Sequence, residues 1–436
     1  MRLLFFPSDL GGGFGHISRC LALAHEAAHR GHTCAFVMND TKYEKQLKNN
    51  FRVFISKKYP RYFSLFSFLK SKIGRLHSHA APLFTEISGL DYQVVRDGFV
   101  NANIVKKKVA QYLKIVKTFK PDVLIGDTNL LVWMLSKKAD VPVVQIVRYA
   151  SHPKTAKLLW WKDRPESIIP PDASTLFNPL LLSMDLQPIK KAEDLLQGDL
   201  YIVPSLPEIE PIPKDKKTVH VGELTLSKRH AEIPSWLREI DDNPPLLYVT
   251  IGGGAGPVGN TLFFSTIVDA FAHKAIQVIV STSSKFDPAI FPNLPPNIRF
   301  FTWVPGKLII SKADVVIFHG GYGTMMETVT CGKPAIIIPF QSEQEGNGRR
   351  LEQLGSGLVV KLSQENYIRI EARWKYGTYS FFVQNRYELT AEELYGKVHE
   401  LLHNNEYRNK AEYLQSKVKN YHGPQQVMEL VEKYWS

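Results

Sequence analysis

The side chains best suited to chemistry lie close together in the sequence, between residues 303 and 347. An apolar run at 314–318 ends in the stretch HGGYGT at 319–324, and helix-compatible residues continue from there to Gly332. Glycine lets a backbone approach an anion closely, and the N–H groups and dipole of a helix start favour a diphosphate. The pattern predicts a strand, a phosphate-binding turn and a helix.

Two further groups extend this predicted anion site. Glu327 follows Thr324 by one helical turn, where its carboxylate is placed to accept hydrogen bonds from two ribose hydroxyls. Glu343 and Gln344 follow a second apolar run at 335–338, at the carboxyl end of a strand, where open α/β sheets bind ligands. Together these residues predict a site for a nucleotide diphosphate sugar.

The N-terminus offers a second glycine turn with a candidate base. The sequence predicts a strand at 2–7, the loop SDLGGGFGH at 8–16, and a helix closed by Gly31. The apolar side of that helix is predicted to comprise Ile17, Leu21, Ala24 and Ala28. A nicotinamide-binding loop looks similar, and Asp40 lies at about the right distance for a ribose. His16 favours a different chemistry, because the dipole of a helix start disfavours an imidazolium and leaves a neutral imidazole that can accept a proton.

These residues resemble the signature of the inverting GT-B glycosyltransferases, the group that includes UDP-sugar, macrolide and MurG-like transferases. The shared pattern is Trp-x-Pro, His-x-Gly, a Glu eight residues after that His, Gly-x-Pro, and an acid-Gln pair four residues beyond a Pro. The Gly-His near the N-terminus, followed by Leu-Ala-Leu-Ala, belongs to the same resemblance. One position departs from it, since Gly306 stands where many members have Gln after the Trp-x-Pro.

The resemblance implies which residues bind the donor. Trp303 would contact the nucleobase, and Glu327 the ribose. The diphosphate would be contacted by His319, Gly321, Gly323 and Thr324. Glu343 and Gln344 would contact the sugar hydroxyls, and Val304 is expected at the same donor site. Gly253, in another strand-and-glycine segment at 246–256, is expected to border the same cleft.

The resemblance also implies the catalytic residues. His16 would be the general base, and the loop residues Gly13, Phe14 and Gly15 would border the acceptor. Asp127 ends a predicted strand at 120–127 and would hold the tautomer of His16 and stabilise its charge. From the residues alone, a role for Asp127 as a helix cap stays open.

The predicted reaction is a single displacement that moves a hexose from a UDP or dTDP sugar to an acceptor hydroxyl. Inversion is expected because His319 stands where retaining relatives carry Glu. No cofactor is expected besides this co-substrate, and no metal, since the helix start supplies a positive field. Arg19, where relatives often have Pro, is expected to add positive charge to the cleft. A UDP-sugar epimerase on the same fold and a silent nucleotide-sugar-binding partner stay open as alternatives.

Length and pattern predict an α/β fold of GT-B type, with two Rossmann-like doubly wound parallel-sheet domains facing a central cleft. The 436 residues are divided into an N-terminal acceptor-binding domain at 1–213, a linker at 214–243, a nucleotide-sugar-binding domain at 244–410, and helices at 411–436 that pack back on the N-terminal domain. No apolar run reaches the roughly 18 residues of a spanning helix. The three cysteines, Cys20, Cys34 and Cys331, have no metal spacing, so a cytoplasmic protein with reduced thiols is predicted.

The formal charge of +12 is unevenly placed, since residues 42–75 hold ten Lys or Arg against Glu44 alone. Within that region, 62–76 has an apolar face and basic flanks, which is typical of an amphipathic helix. It is predicted either to pack on the N-terminal sheet or over the acceptor, or to make peripheral contact with an anionic membrane that supplies a lipid acceptor. A nucleic acid partner is not expected, because no recognition motif accompanies the charge. Residues 365–388 are predicted to be an insertion that forms a hairpin.

Overall fold

The computed structural model of the chain describes residues 1–10, 14–56, 84–85, 89–155, 168–225, 235–240, 243–252, 260–282, 289, 291, 293–360, 367–384 and 389–435. Gly13, Gly253 and the basic amphipathic segment at 62–76 lie outside these ranges. Within them, no helix is both long enough and apolar enough to cross a bilayer.

The N-terminal half is built on a parallel sheet. Its described strands are β1 (Arg2–Pro7), β2 (Thr33–Met38), β3 (Arg52–Ile55), β4 (Phe84–Thr85), β5 (Val123–Asp127), β6 (Val143–Ile146), β7 (Leu200–Val203) and β8 (Thr218–His220). All except β4 form one seven-stranded sheet in the order β3-β2-β1-β5-β6-β7-β8. Helices cover both faces of this sheet, which is why its central strands are continuous apolar runs in the sequence.

The helices of this half alternate with the strands. They are α1 (Gly15–His29), α2 (Glu44–Lys48), α3 (Asp91–Arg96), α4 (Ala102–Phe119), α5 (Val132–Ala139) and α6 (Ala173–Leu182). The predicted closure of α1 is found at Gly31, whose φ of +85° only glycine adopts readily. The predicted apolar side of α1 is wrong at one position, because Ala27 faces the core while Ala28 is exposed.

The second half repeats the same design. Its strands are β9 (Leu246–Thr250), β10 (Gln277–Ser281), β11 (Ile298–Phe301), β12 (Val315–Phe318), β13 (Ala335–Ile337) and β14 (Gly357–Val359). They form a six-stranded parallel sheet in the order β11-β10-β9-β12-β13-β14. The helices are α7 (Asn260–Phe271), α8 (Gly306–Lys312), α9 (Tyr322–Cys331), α10 (Ser342–Gln353), α11 (Ala391–His403), α12 (Asn405–Val418) and α13 (Gly423–Trp435).

The strand order reverses once in each sheet, between β1 and β5 and between β9 and β12. In doubly wound sheets, ligands bind at the carboxyl ends of the strands beside such a reversal. The turn after β1 leads to His16, and β5 ends at Asp127. The turn after β12 carries the HGGYGT stretch. Both predicted halves of the site therefore lie where this fold binds ligands.

Two predicted domain boundaries need correction. Strand β8, placed in the linker by the sequence, pairs with β7 and closes the edge of the N-terminal sheet. A short turn at 215–218, marked by the bridge between Asp215 and Thr218, returns the chain to that edge. Of the C-terminal helices, α12 packs against α9 in the second domain, with Leu414 and Val418 in its core. Only α13 returns to the first domain, where Val427 packs beside α1.

The predicted hairpin is confirmed, with an unpredicted docking site. Strands β15 (Tyr367–Trp374) and β16 (Gly377–Gln384) pair antiparallel, and β16 also pairs with β4 of the N-terminal half. Phe381 and Tyr379 pack against Tyr92 of α3, whose hydroxyl donates to Ser380 O at 2.5 Å. The hairpin is therefore an arm of the second domain that is built into the first.

Candidate active site

The predicted base and its partner are in direct contact. His16 is the second residue of α1, and its Nδ1 lies 2.7 Å from Asp127 Oδ1 at the end of β5. The Asp127 side chain is fully buried, whereas that of His16 is 32% exposed. Arg19 Nη2 also lies 2.9 Å from Nδ1. An ionised carboxylate only accepts hydrogen bonds, so the contact with Asp127 favours the tautomer of a neutral imidazole that carries its proton on Nδ1 and its lone pair on Nε2. This is the arrangement that a general base requires.

Arg19 binds the same carboxylate. Its Nε donates to Asp127 Oδ2 at 2.8 Å and its Nη2 donates to Oδ1 at 2.9 Å. Burial by itself would raise the pKa of Asp127, but Arg19 and His16 together lower that pKa to about 2. The positive charge expected from Arg19 is therefore directed at Asp127, which it fixes in one orientation and keeps ionised.

The turn after Asp127 has a strained backbone that a neighbouring amide supports. Thr128 has a φ of +53°, which is costly for a β-branched residue. Its hydroxyl donates to Asp127 Oδ1 at 3.2 Å. Gln93 on α3 donates to Thr128 O at 2.8 Å and to Ser8 Oγ at 3.3 Å. Because α3 also carries the hairpin, the insertion is linked through Gln93 to the base. No pattern in the sequence points to Gln93.

The glycines of the donor turn make room for a histidine ring. A Cβ on Gly252 would lie 2.5 Å from His319 Cε1, and a Cβ on Gly321 would meet the same ring. For Gly321, the sequence suggested instead that the glycine lets the backbone approach an anion. Gly323 is the position that fits that role, since no atom of the described residues outside its own helix turn lies within 4 Å of an added Cβ there. The free space for a diphosphate is therefore at the first turn of α9.

His319 is a neutral hydrogen-bonding group in this turn. Burial lowers the pKa of its imidazole to about 4, against an opposing effect of Glu343. Among the described residues, its buried Nδ1 has no hydrogen-bond partner. Leaving such an atom unpaired costs about 1–3 kcal/mol. A diphosphate oxygen would satisfy Nδ1 if that nitrogen carries the proton.

The nucleoside side of the predicted site is open. Trp303 is 66% exposed, as a platform for a nucleobase must be. Glu327 Oε2 lies 3.3 Å from the position of a Cβ on Gly306, so this departure from the family pattern gives the carboxylate room. Val304 is 3% exposed and lies in the core, which leaves only its main chain for a donor contact.

Glu343 and Gln344 begin α10 beside the donor turn. Gln344 Oε1 accepts a hydrogen bond from Phe340 N at 2.8 Å, so its amide N–H groups are directed elsewhere. Glu343 is bound by Arg148 of the first domain, a residue that the sequence reasoning missed. The sequence does contain one signal for Arg148, since it is a basic residue that comes just after a strand at the edge of the cleft.

Tyr322 joins the two halves of the site. It is the first residue of α9, and its hydroxyl donates to Pro204 O of the first domain at 2.8 Å. Arg148 Cζ lies 3.7 Å from its ring centroid and Arg19 Cζ lies 6.0 Å from it. The start of α9, where the diphosphate is predicted to bind, is therefore next to the guanidinium that binds Asp127.

Two of the predicted acceptor-loop residues lie at the start of α1. Phe14 precedes the helix and its ring packs 4.9 Å from that of Tyr43, centroid to centroid. Gly15 is exposed, and Thr324 of the donor turn is half-buried. Phe14 and Gly15 thus flank His16 on the open side of the cleft.

Comparison with known proteins identifies related glycosyltransferases. Residues 266–373 match the model of the glycosyltransferase family 28 C-terminal domain. The chain is 24% identical over 294 residues to a PGL/p-HBAD biosynthesis glycosyltransferase of Mycobacterium tuberculosis. The matched stretch covers 62% of this chain and 65% of that relative. The chain is 27% identical over 253 residues to NDP-glycosyltransferase YjiC of Bacillus subtilis, with 57% and 62% covered. A Methanosarcina mazei protein, named only as a glycosyltransferase, is 23% identical over 445 residues, with 99% and 98% covered.

Solved structures agree over the whole chain. The calicheamicin glycosyltransferase CalG4 superposes with a TM-score of 0.71 at 20% identity, covering 99% of this chain and 98% of that one. The spinosyn rhamnosyltransferase SpnG, solved with thymidine diphosphate, has a TM-score of 0.69 at 16% identity, with 99% and 100% covered. These likenesses confirm the predicted GT-B fold. The family model and the related sequences confirm the resemblance to glycosyltransferases. The matched stretch spans less than two thirds of the mycobacterial and Bacillus relatives.

Proposed function

We propose that this chain, which has the GT-B fold and is related in sequence to glycosyltransferases, transfers a hexose from a UDP or dTDP sugar to an acceptor hydroxyl with inversion. The observation that carries the proposal is the contact between His16 and Asp127 at one side of the cleft, facing the open first turn of α9 at the other. A proton acceptor and an anion site are thereby held close together through Tyr322.

In the proposed reaction, His16 Nε2 takes the proton of the acceptor hydroxyl as its oxygen bonds to the anomeric carbon. The bond from that carbon to the diphosphate oxygen breaks, and its electron pair leaves with the nucleoside diphosphate. Asp127 stabilises the imidazolium, while the N–H groups of α9 and His319 stabilise the departing charge. A single in-line displacement converts an α-linked donor into a β-linked product.

The names of the relatives support a nucleotide sugar as donor. YjiC is named an NDP-glycosyltransferase, and SpnG was solved with thymidine diphosphate and, separately, with spinosyn aglycone. We infer by analogy that this chain binds a nucleoside diphosphate at α9 and an acceptor near His16, with a small molecule as the first acceptor class to examine.

The test is release of nucleoside diphosphate from a panel of UDP and dTDP hexoses, with and without a panel of hydroxyl acceptors. The proposal expects release that depends on the acceptor. An epimerase would instead interconvert the sugar of the nucleotide with no acceptor present. Binding of nucleotide sugar without either reaction would favour the silent binding partner.

Replacing Glu327 by Ala is expected to weaken binding of UDP or dTDP by about 1–3 kcal/mol, since it leaves ribose hydroxyls unpaired in a partly closed site. Isothermal titration calorimetry measures the change. The matched control is Glu412→Ala, which removes an exposed carboxylate from α12 in the same domain. Equal affinities of wild type and Glu327→Ala would remove Glu327 from the donor site.

A lipid acceptor at a membrane surface is proposed as an alternative because of the basic segment at 62–76. The protein would then sediment with anionic vesicles at low salt and be released as salt rises, since charges are screened within about 8–10 Å at physiological ionic strength. A triple replacement of Lys70, Lys72 and Arg75 by Gln is expected to abolish sedimentation. The control triple changes Lys106, Lys107 and Lys117, which are exposed on α4, in the same way. Vesicles that leave the wild type in solution at low salt would favour a soluble acceptor.

A further inference from the structure

A half-buried arginine of the first domain hydrogen-bonds the sugar side of the proposed donor site in the second domain. Arg148 lies two residues past β6, and its Nη1 donates to Glu343 Oε1 at 2.5 Å. Its Nη2 donates to Asn347 Oδ1 at 2.6 Å. Both partners are on α10, so the guanidinium spans the interface between the domains at the predicted sugar-binding acid.

Arg148 is held firmly on its own side of the cleft. Its Nε donates to Glu210 Oε1 at 2.8 Å, and the other oxygen of Glu210 accepts from Tyr149 N at 2.6 Å. The guanidinium also stacks on Tyr322. Burial would lower the pKa of Arg148, but Glu210 and Glu343 raise it above its usual value. The charge is permanent and its direction is fixed before any ligand binds.

The two carboxylate oxygens of Glu343 differ in how many hydrogen bonds they accept. Oε1 accepts from Arg148 and, at 3.1 Å, from Asn347 Nδ2. Among the residues that the structure describes, Oε2 has one weak hydrogen bond, of 3.4 Å, from Gln341 Nε2. Asn347 Nδ2 also donates to Gly320 O at 2.7 Å. Arg148 therefore connects the carboxylate, through Asn347, to the turn that receives the diphosphate. Oε2 is the oxygen left to accept sugar hydroxyls.

We propose that Arg148 is a positioning residue for the donor sugar: it holds Oε1 of Glu343 and so presents Oε2 to the sugar hydroxyls. Recognition of the sugar then needs both domains, while recognition of the nucleotide needs only the second. This inference rests on the proposed function, because it assumes that Glu343 receives the sugar of a nucleotide sugar. This role of Arg148 cannot be predicted from the sequence pattern of either domain alone.

The test compares two ligands on one variant. Arg148→Met keeps the length of the side chain and its contact with Tyr322 but removes the guanidinium. Calorimetry with UDP, dTDP, UDP-glucose, UDP-galactose and dTDP-glucose is expected to show nucleoside diphosphate affinity near that of wild type. Affinity for the preferred nucleotide sugar is expected to fall about 10- to 100-fold, the range for losing hydrogen bonds to a charged group. Discrimination between the two UDP hexoses should fall with it.

Two further variants separate positioning from general loosening. Arg350→Met removes another arginine that joins α10 to the first half of the chain, at Glu208 O, without touching Glu343. It is expected to bind both ligands as wild type does. Glu343→Gln should weaken nucleotide sugar binding, and adding Arg148→Met to it should cost little more, because the two residues act as one unit. If Arg148→Met does not fold, Arg148→Lys keeps the charge without the fork and serves in its place.

The outcomes are distinct. A wild type that binds none of the five ligands would overturn the proposed function itself. Wild-type binding with equal losses of nucleoside diphosphate and nucleotide sugar in Arg148→Met would overturn only the role of Arg148. The same would follow if Arg350→Met lost sugar recognition equally, or if the effects of Arg148→Met and Glu343→Gln were additive.

Discussion

Replacing His16 by Ala is expected to lower turnover by roughly 10²–10⁴-fold, the range for removing a general base. Donor affinity should change little, because the proposed donor site lies mainly in the second domain. Steady-state rates at saturating nucleotide sugar and acceptor measure the first quantity, and calorimetry with UDP or dTDP measures the second. The physical reason is that the His16 side chain is 32% exposed and its ring is hydrogen-bonded to Asp127, whose lowered pKa keeps the carboxylate ionised.

The matched control is His29→Ala, which removes an exposed histidine from the last turn of the same helix. Its turnover is expected to equal that of wild type. Turnover of His16→Ala within a few-fold of wild type would mean that another group takes the proton. A parallel loss in both variants would point to damage of α1 rather than to loss of a base.

Asp127→Asn is expected to affect both rate and stability. The amide can donate to Nδ1 of His16 and stabilise the tautomer with its proton on Nε2, so turnover should fall by about 10²–10⁴-fold. The change also leaves Arg19, whose side chain is 12% exposed, without its counter-ion. Breaking a buried pair in this way typically costs about 3–5 kcal/mol of folding free energy. Kinetics and chemical denaturation measure the two effects.

A second substitution separates them. In Asp127→Asn combined with Arg19→Met, the unpaired buried charge is gone, so much of the lost stability should return. Turnover should stay low, because the tautomer of His16 is still uncontrolled. Recovery of turnover in the double variant would show that Asp127 serves only as the counter-ion of Arg19, and its assignment beside the base would then be wrong.

Local sequence patterns were sufficient for the elements that frame the site. Strand β1 was predicted with its observed bounds. Helix α9 ends at Cys331 and is followed, as predicted, by Gly332, which has a left-handed conformation. The pairing of His16 with Asp127 was implied by the family resemblance, and the fold explains it, since the turn after β1 and the end of β5 meet at the edge of a doubly wound sheet. Buried parallel strands and glycine turns depend on the composition of short segments, and they can therefore be predicted from one sequence.

Other features depended on which distant segments pack together. The hairpin at 367–384 was predicted as a hairpin, but its place on α3 follows from a shared core with Tyr92. Strand β8 is short and partly polar, so only its pairing with β7 identifies it. Apolar patterning predicts that one face of a helix or strand is buried, but it does not predict which other element packs against that face.

The sequence by itself determined the fold class, the two glycine turns and the candidate residues of each domain, because these are properties of contiguous segments. The tertiary structure alone decided how the domains share the site. Arg148 and Glu343 are 195 residues apart in the chain, and their contact depends on the orientation of two sheets. Hydrogen bonds form only when donor and acceptor are about 3 Å apart, so a hydrogen-bonded pair across the cleft produces no periodic pattern in the sequence.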